Sequence, residues 1–282
     1  MKNLVLLLSL LMIPNTFSCD ADGNSGFMPE NDMRIPVGAK NANNMTEKRF
    51  NEIIDRVEEV YTPIIKEKGG ILKVKRKWSD DTVNAYAQQF WKWWSVSMFG
   101  GLARHPAVTD DGFALVICHE IGHHIGGAPK IGRRWASNEG QSDYFASLKC
   151  FREVFGSDDN ITIVKNMNVD PYAETQCRNS WSNEEDVALC IRSSMAGKSL
   201  ATLLAGGSRS VNFKTPDTSV VGRTDDKHPA GQCRLDTYFQ GALCEISLDE
   251  DVDKNDATVG TCNRSTGHDT GIRPLCWYKP GV

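Results

Sequence analysis

Ten residues, Cys118-His119-Glu120-Ile121-Gly122-His123-His124-Ile125-Gly126-Gly127, restrict the fold of this chain more than any other stretch. They contain H-E-x-x-H, and residues four apart stand one above the other on one face of an α-helix. A helix is expected here. Asp110 and Asp111 suit its start, Phe113, Val116, Ile117 and Ile121 give an apolar face, and Gly126-Gly127-Ala128-Pro129 ends it. On that helix the imidazoles of His119 and His123 reach one metal ion, with Glu120 projecting beside it. Imidazole suits Zn2+, which it binds at about 2.0–2.1 Å in tetrahedral sites. An ion with one open position lowers the pKa of water to about 7, and Glu120 would take the proton as water attacks a carbonyl. A buried helix with two hydrogen-bonded histidines would give the same pattern, so the context decides.

A third ligand discriminates between classes of site. The metzincin pattern H-E-x-x-H-x-x-G-x-x-H matches at Gly126 but fails at Pro129. Farther on stands Asn138-Glu139-Gly140-Gln141-Ser142-Asp143, where Glu139 and Asp143 share a helix face. One carboxylate can bind the metal while the other accepts the free N–H of a ligand histidine and fixes its tautomer. This spacing resembles the two-histidine, one-glutamate site of gluzincins such as thermolysin. Acids near a helix start also serve simply as dipole partners; after H-E-x-x-H the ligand reading is favoured.

The 282 residues suffice for one sizeable domain or two small ones, and a formal net charge of −4 gives no indication of nucleic-acid binding. Lysines in 66–77 alternate with apolar residues, as on a solvated strand face. Residues 1–18 read as a secretory signal, with Lys2, the apolar run Leu4–Ile13 and then Pro14 with small polar residues. The run is too short for a stable span, and no other stretch approaches ~20 apolar residues, so no transmembrane segment is expected in the mature chain. Cys19, in Phe17-Ser18-Cys19-Asp20, resembles the lipidated cysteine of bacterial lipoproteins, although Thr16 stands where an aliphatic residue is usual. A lipid anchor at Cys19 and plain cleavage are both open. The other eight cysteines, an even set in an exported chain, imply disulfides. Cys177–Cys190 and Cys262–Cys276 are plausible local pairs. Cys233 and Cys244, about 16 Å apart along one helix, need other partners.

Residues 19–45, rich in Asn, Asp, Gly and Met, read as a flexible tether. From Thr46 a helical stripe (Phe50, Ile53, Ile54, Val57, Tyr61, Ile64, Ile65) runs to Gly69-Gly70, followed by a half-exposed strand over 72–78. Two short strands around 82–87 and 96–102 flank the aromatic run Phe90-Trp91-Lys92-Trp93-Trp94, which is expected to pack. The edge strand just before the metal helix is positioned to bind substrate backbone by strand addition. The Glu139 helix should reach about Phe155, helices recur over 184–205, and residues 206–226 form a polar loop at the cleft. Pro229 suits the first turn of a helix ending near Cys244. His105, His124 and His268 read as structural or exposed, and residues 246–282 as an acidic loop before a cysteine-stapled end, lacking the Gly and Glu of a calcium loop.

In order, Val83-Asn84-Ala85-Tyr86-Ala87, Gly101-Leu102, Val116–His123 and His228-Pro229-Ala230-Gly231-Gln232-Cys233-Arg234-Leu235 resemble segments of the HtpX and CAAX-prenyl-endopeptidase family of gluzincins. The resemblance spans roughly residues 46–245. The chain departs from that family in lacking multiple membrane helices, in Tyr86 for Phe and in its many cysteines. With these departures and the signal segment the chain reads as a divergent, soluble, exported relative, and the resemblance suggests His228 or Arg234 as the group that stabilises charge on a carbonyl oxygen. A helix-capping His228 and a structural Arg234 ion pair are the alternative.

The expectation is therefore an α+β, zincin-like (gluzincin) fold, with a small mixed sheet and the H-E-x-x-H helix packed against a second, Glu-bearing helix. Residues 46–245 would form a metallopeptidase domain holding one Zn2+ through His119, His123 and Glu139. Glu120 would be the general base, Asp143 would orient His119, and His228 would assist catalysis. The substrate would be a protein or peptide, in the periplasm, cell envelope or outside the cell. A binding lipoprotein with a structural or vestigial zinc site, and a zinc amidase acting on cell-wall peptide, are the alternatives.

Overall fold

A computed structural model describes residues 26–132, 134–206 and 210–281; the signal segment 1–18 and Cys19 lie outside them. The elements are α1 (Glu47–Glu67), β1 (Ile71–Lys77), β2 (Ala85–Phe90), β3 (Trp93–Phe99), α2 (Gly100–Ala103), α3 (Asp110–Ile125), α4 (Glu139–Phe145), α5 (Phe151–Phe155), α6 (Asn160–Lys165), α7 (Pro171–Ser180), α8 (Glu184–Leu204) and α9 (Gly231–Leu243). The fold is mixed α+β, with most of its mass helical.

α1 follows the apolar stripe. Thr46 caps it by accepting the Arg49 N–H, and Phe50, Ile53, Ile54, Val57, Tyr61 and Ile65 are buried. β1 pairs parallel to β3 and β2 antiparallel to it, in the order β1-β3-β2. β3, which leads towards α3, is thus the central strand, and β2 is the edge; the expectation of an edge strand directly before α3 is corrected. The aromatic run also departs from expectation. It turns the β2–β3 hairpin, with Phe90, Trp91 and Trp93 50%, 77% and 49% exposed. Only Trp94 of that run packs inward, stacked on His124.

α3 is the core element, buried from Gly112 to Ile125, as suits a helix apolar on nearly all sides. Its cap is Thr109, which accepts the Gly112 N–H, rather than Asp110 or Asp111. Those two acids occupy the first turn and pair with Arg49 and Arg192. Gly122 is the crossing point with α4: a Cβ there would lie 3.0 Å from the Ser142 carbonyl oxygen. The helix begun by α4 runs on to Phe155 through one π turn over Ala146–Cys150. Cys150 in that turn is bridged to Cys118.

Four disulfides form: Cys118–Cys150, Cys177–Cys190, Cys233–Cys276 and Cys244–Cys262. The expected Cys177–Cys190 pair is present. The Cys262–Cys276 pair is not, because each of those cysteines instead ties the C-terminal tail back to the α9 segment. Four bridges suit an oxidising, exported environment. Replacing Cys118 and Cys150 together by Ala should cost about 2–5 kcal/mol in denaturant unfolding under non-reducing conditions; an unchanged midpoint and slope would contradict a stabilising role.

Two further expectations are corrected. Residues 26–45 are not a free tether, since Phe27, Met28, Ile35 and Met45 are buried in the main core. The tail is stapled by cysteines as expected, but it is also packed into the fold: Trp277 is fully buried, its indole N–H donating to Thr237, and Tyr144 donates to the Gly271 carbonyl. One described helix, α8, is long and apolar enough to cross a membrane, but most of it is buried within the protein.

Candidate metal centre

α3 presents His119 and His123 on one face, and the Gly122 crossing brings the first turn of α4 against it. The three ligand atoms of His119, His123 and Glu139 lie within 4.8 Å of one another, and all three residues are fully buried. His119 Nε2 is 3.3 Å from Glu139 Oε2, and His123 Nε2 is 3.5 Å from Glu139 Oε1. Donors about 2.0–2.1 Å from a shared tetrahedral centre stand about 3.3–3.4 Å apart, so each histidine stands near one Glu139 oxygen at a separation that a small ion could bridge. His119 Nε2 and both Glu139 oxygens make no well-aligned hydrogen bond; their near neighbours are one another, His123 and His228. Buried polar atoms left this way are costly unless something else binds them.

The opposite ring nitrogens fix the tautomers. His119 Nδ1 lies 2.7 Å from Asp143 Oδ1, and His123 Nδ1 lies 2.8 Å from the Ser137 carbonyl oxygen. A carbonyl only accepts, so His123 carries its proton on Nδ1 and turns the Nε2 lone pair towards the centre. Asp143 does the same for His119, because it is itself held as a carboxylate by Arg234, whose Nε and Nη2 donate at 2.7 Å each. Burial pushes the Asp143 carboxyl up, but Arg234 and His119 hold it below its ordinary range.

Without an ion the same geometry attracts a proton. Burial opposes the charge on His119, yet Asp143 and Glu139 hold it up at about 9. Burial pushes His123 down to about 4, with His119 adding to the effect. Glu139 is held well below the ordinary carboxylate range by His228, His123 and His119 despite its burial. Burial pushes Glu120 up to about 8. A pocket that keeps one imidazolium beside a carboxylate favours a cation, and a metal entering at neutral pH must displace the His119 proton.

Every expected site residue except Cys19 can be placed. His119, Glu120, His123, Glu139 and Asp143 come together. His228 joins them without capping a helix: α9 begins at Gly231 with Ala230 as its cap, so Pro229 is not in its first turn. His228 Nε2 stands 3.4 Å from Glu139 Oε2 and donates to the Gly26 carbonyl at 2.7 Å. Arg234, the other candidate for charge stabilisation, is committed to Asp143 and to the Phe27 carbonyl. Sequence reasoning missed Phe27, whose ring meets His119 edge-on at 5.2 Å and lies under Arg234; no periodic pattern marks it. His124 is buried between Trp94 and Trp135, away from the centre, as expected. The other grouping of potential ligands among the described residues, Asp217 with Cys233 and Cys276, is closed by the Cys233–Cys276 bridge.

In comparisons with protein-family models, curated proteins and solved structures, nothing matches this chain.

Proposed function

We propose that this chain is an exported zinc-dependent endopeptidase of the gluzincin kind, with a zincin-like fold, as its resemblance to the HtpX family implies. One observation carries the reading: two imidazoles and a carboxylate converge with their ligand atoms within 4.8 Å of one another, and Glu120 stands on the same helix as the two histidines. Two imidazoles and one carboxylate suit Zn2+ by donor type. When bound, Zn2+ supplies Lewis-acid chemistry, acidifying water and polarising a carbonyl.

The chain's own residues do the rest. Glu120 accepts the proton of the attacking water and passes it to the leaving amine. The His228 Nε2–H donates to the carbonyl oxygen as negative charge grows there. Asp143 holds the His119 ring, and Arg234 holds Asp143, so the ligand cannot rotate away. A purely structural zinc site has no use for Glu120, which favours hydrolysis over binding alone.

The test is metal content together with chelator-sensitive cleavage of a peptide library, with casein and peptidoglycan compared as substrates. Chelator-insensitive or absent cleavage by zinc-loaded protein would overturn the reading, and cleavage of peptidoglycan alone would move it to cell-wall peptide. Purified protein should hold about one zinc per chain, whereas His119→Ala and Glu139→Ala should each retain less than about a tenth of that. Loading zinc at neutral pH should release a proton, read by calorimetry in two buffers of different ionisation enthalpy. No buffer dependence would contradict the protonated state assigned to His119.

A further inference from the structure

The segment Gly26–Met28 runs against the start of the edge strand as an added strand would. The Phe27 N–H donates to the Ala85 carbonyl at 2.9 Å, and the chain continues antiparallel to an Arg34–Thr82 bridge. Asn84 clamps the next residue, accepting the Met28 N–H at 2.9 Å and donating to its carbonyl at 3.2 Å. On its other side the segment meets the candidate centre. The Gly26 carbonyl takes the His228 hydrogen bond, Arg234 donates to the Phe27 carbonyl at 2.8 Å, and the Phe27 ring covers the edge of His119. Two of the chain's peptide carbonyls thus occupy donors at the centre, one of them the donor assigned above to the substrate's carbonyl. His119, Glu120, His123 and Glu139 have no solvent exposure.

We propose that Gly26–Met28 is an intramolecular occupant of the peptide-binding groove, so that the chain rests in a self-blocked state and acts only when this segment is displaced. This inference rests on the endopeptidase reading, which supplies the role of His228. Position 26 is glycine for a physical reason: a Cβ there would stand 2.1 Å from the Ala85 carbonyl oxygen and 2.7 Å from the Tyr86 ring. The anchoring half of the segment is separate, since Ile35 is buried and its N–H donates to the Asp81 carbonyl. Pro29, Glu30 and Asp32 between them are exposed. A cut in that loop would free Gly26–Met28 from the anchored stretch that follows it.

The experiment uses the full exported chain carrying Gly26→Val, and in parallel a chain with a specific-protease sequence inserted after Glu30, cut after folding. Both should exchange zinc with a chelator and cleave peptide at least about tenfold faster than the parent, because the competent fraction rises. An acetylated peptide with the sequence of residues 26–31 should bind zinc-loaded Gly26→Val/Glu120→Gln and be excluded from Glu120→Gln with Gly26 intact. Equal peptide binding by the two, or unchanged chelator exchange in the cut chain, overturns the self-blocked state whatever the hydrolysis rates. Selective peptide binding without hydrolysis by the Gly26→Val chain keeps the inference and discards the endopeptidase reading. If Gly26→Val fails to fold, chelator exchange in the cut chain decides the matter.

Discussion

Glu120→Gln is expected to slow peptide hydrolysis by about 10²–10⁴-fold, the usual worth of a positioned general base, with zinc content and thermal midpoint unchanged. Glutamine keeps the volume of the buried side chain and loses only its capacity to accept a proton. Glu120 is not among the three ligand atoms that converge, so the metal should stay. The pH profile sharpens the test. Burial, reinforced by the nearby Glu139 and Asp143 carboxylates, holds the Glu120 carboxyl up at about 8 against the pull of His119 and Arg234, and a cation among His119, His123 and Glu139 would lower it. The base works deprotonated, so kcat/KM should rise with pH along an acidic limb lying below that value, and glutamine should remove the limb. Elemental analysis beside steady-state kinetics reads both effects. Hydrolysis at the parent rate would end the proposed chemistry.

The second large effect concerns stability. Arg234→Ala strands the Asp143 carboxylate, fully buried, without its main counter-charge. Removing one partner of such a pair costs about 3–5 kcal/mol. The sign of the pH dependence follows. In the parent, the depressed Asp143 pKa contributes stability above the unfolded carboxylate value, and that contribution is lost as pH falls through the folded value. In the variant, burial dominates and raises the same pKa, so folding takes up a proton and the variant gains stability as pH falls. Urea unfolding at neutral and progressively acidic pH should therefore show a deficit that narrows on acidification. A deficit that stays constant would mean that the cost comes from lost packing against Phe27 and not from charge.

Much of the centre was legible because it rests on local periodicity. His119 with His123, and Glu139 with Asp143, are four apart on helices, and the Asp143–His119 contact follows from that spacing. The Thr46 cap, the α1 stripe and the half-exposed β1 follow from equally local rules. What was not legible depends on chain segments meeting across the fold. Nothing near Cys262 says that it pairs with Cys244 on the far side of a loop. Strand order decides whether β3 is an edge, and order is set by how the β1–β3 parallel pairing crosses over. Residues 26–45 lack any period because they pack as irregular chain, each apolar side chain filling its own gap in the core. The sequence leaves two alternatives open for Arg234 because its partner lies on another helix, 91 residues away in the chain.

The Cys233–Cys276 bridge and the buried Trp277 have a consequence for when the centre comes into being. The Trp277 indole lies directly on Gly140, beside Glu139, and is joined to α9 through Thr237. The platform under Glu139 is therefore built from a stretch translated long after the histidine helix, and its staple requires oxidation. While its thiols are still reduced, before export, the nascent polypeptide lacks that support. On the proposed hydrolase reading, the centre would be completed only once that bridge forms in an oxidising compartment, which would spare the proteins made alongside it.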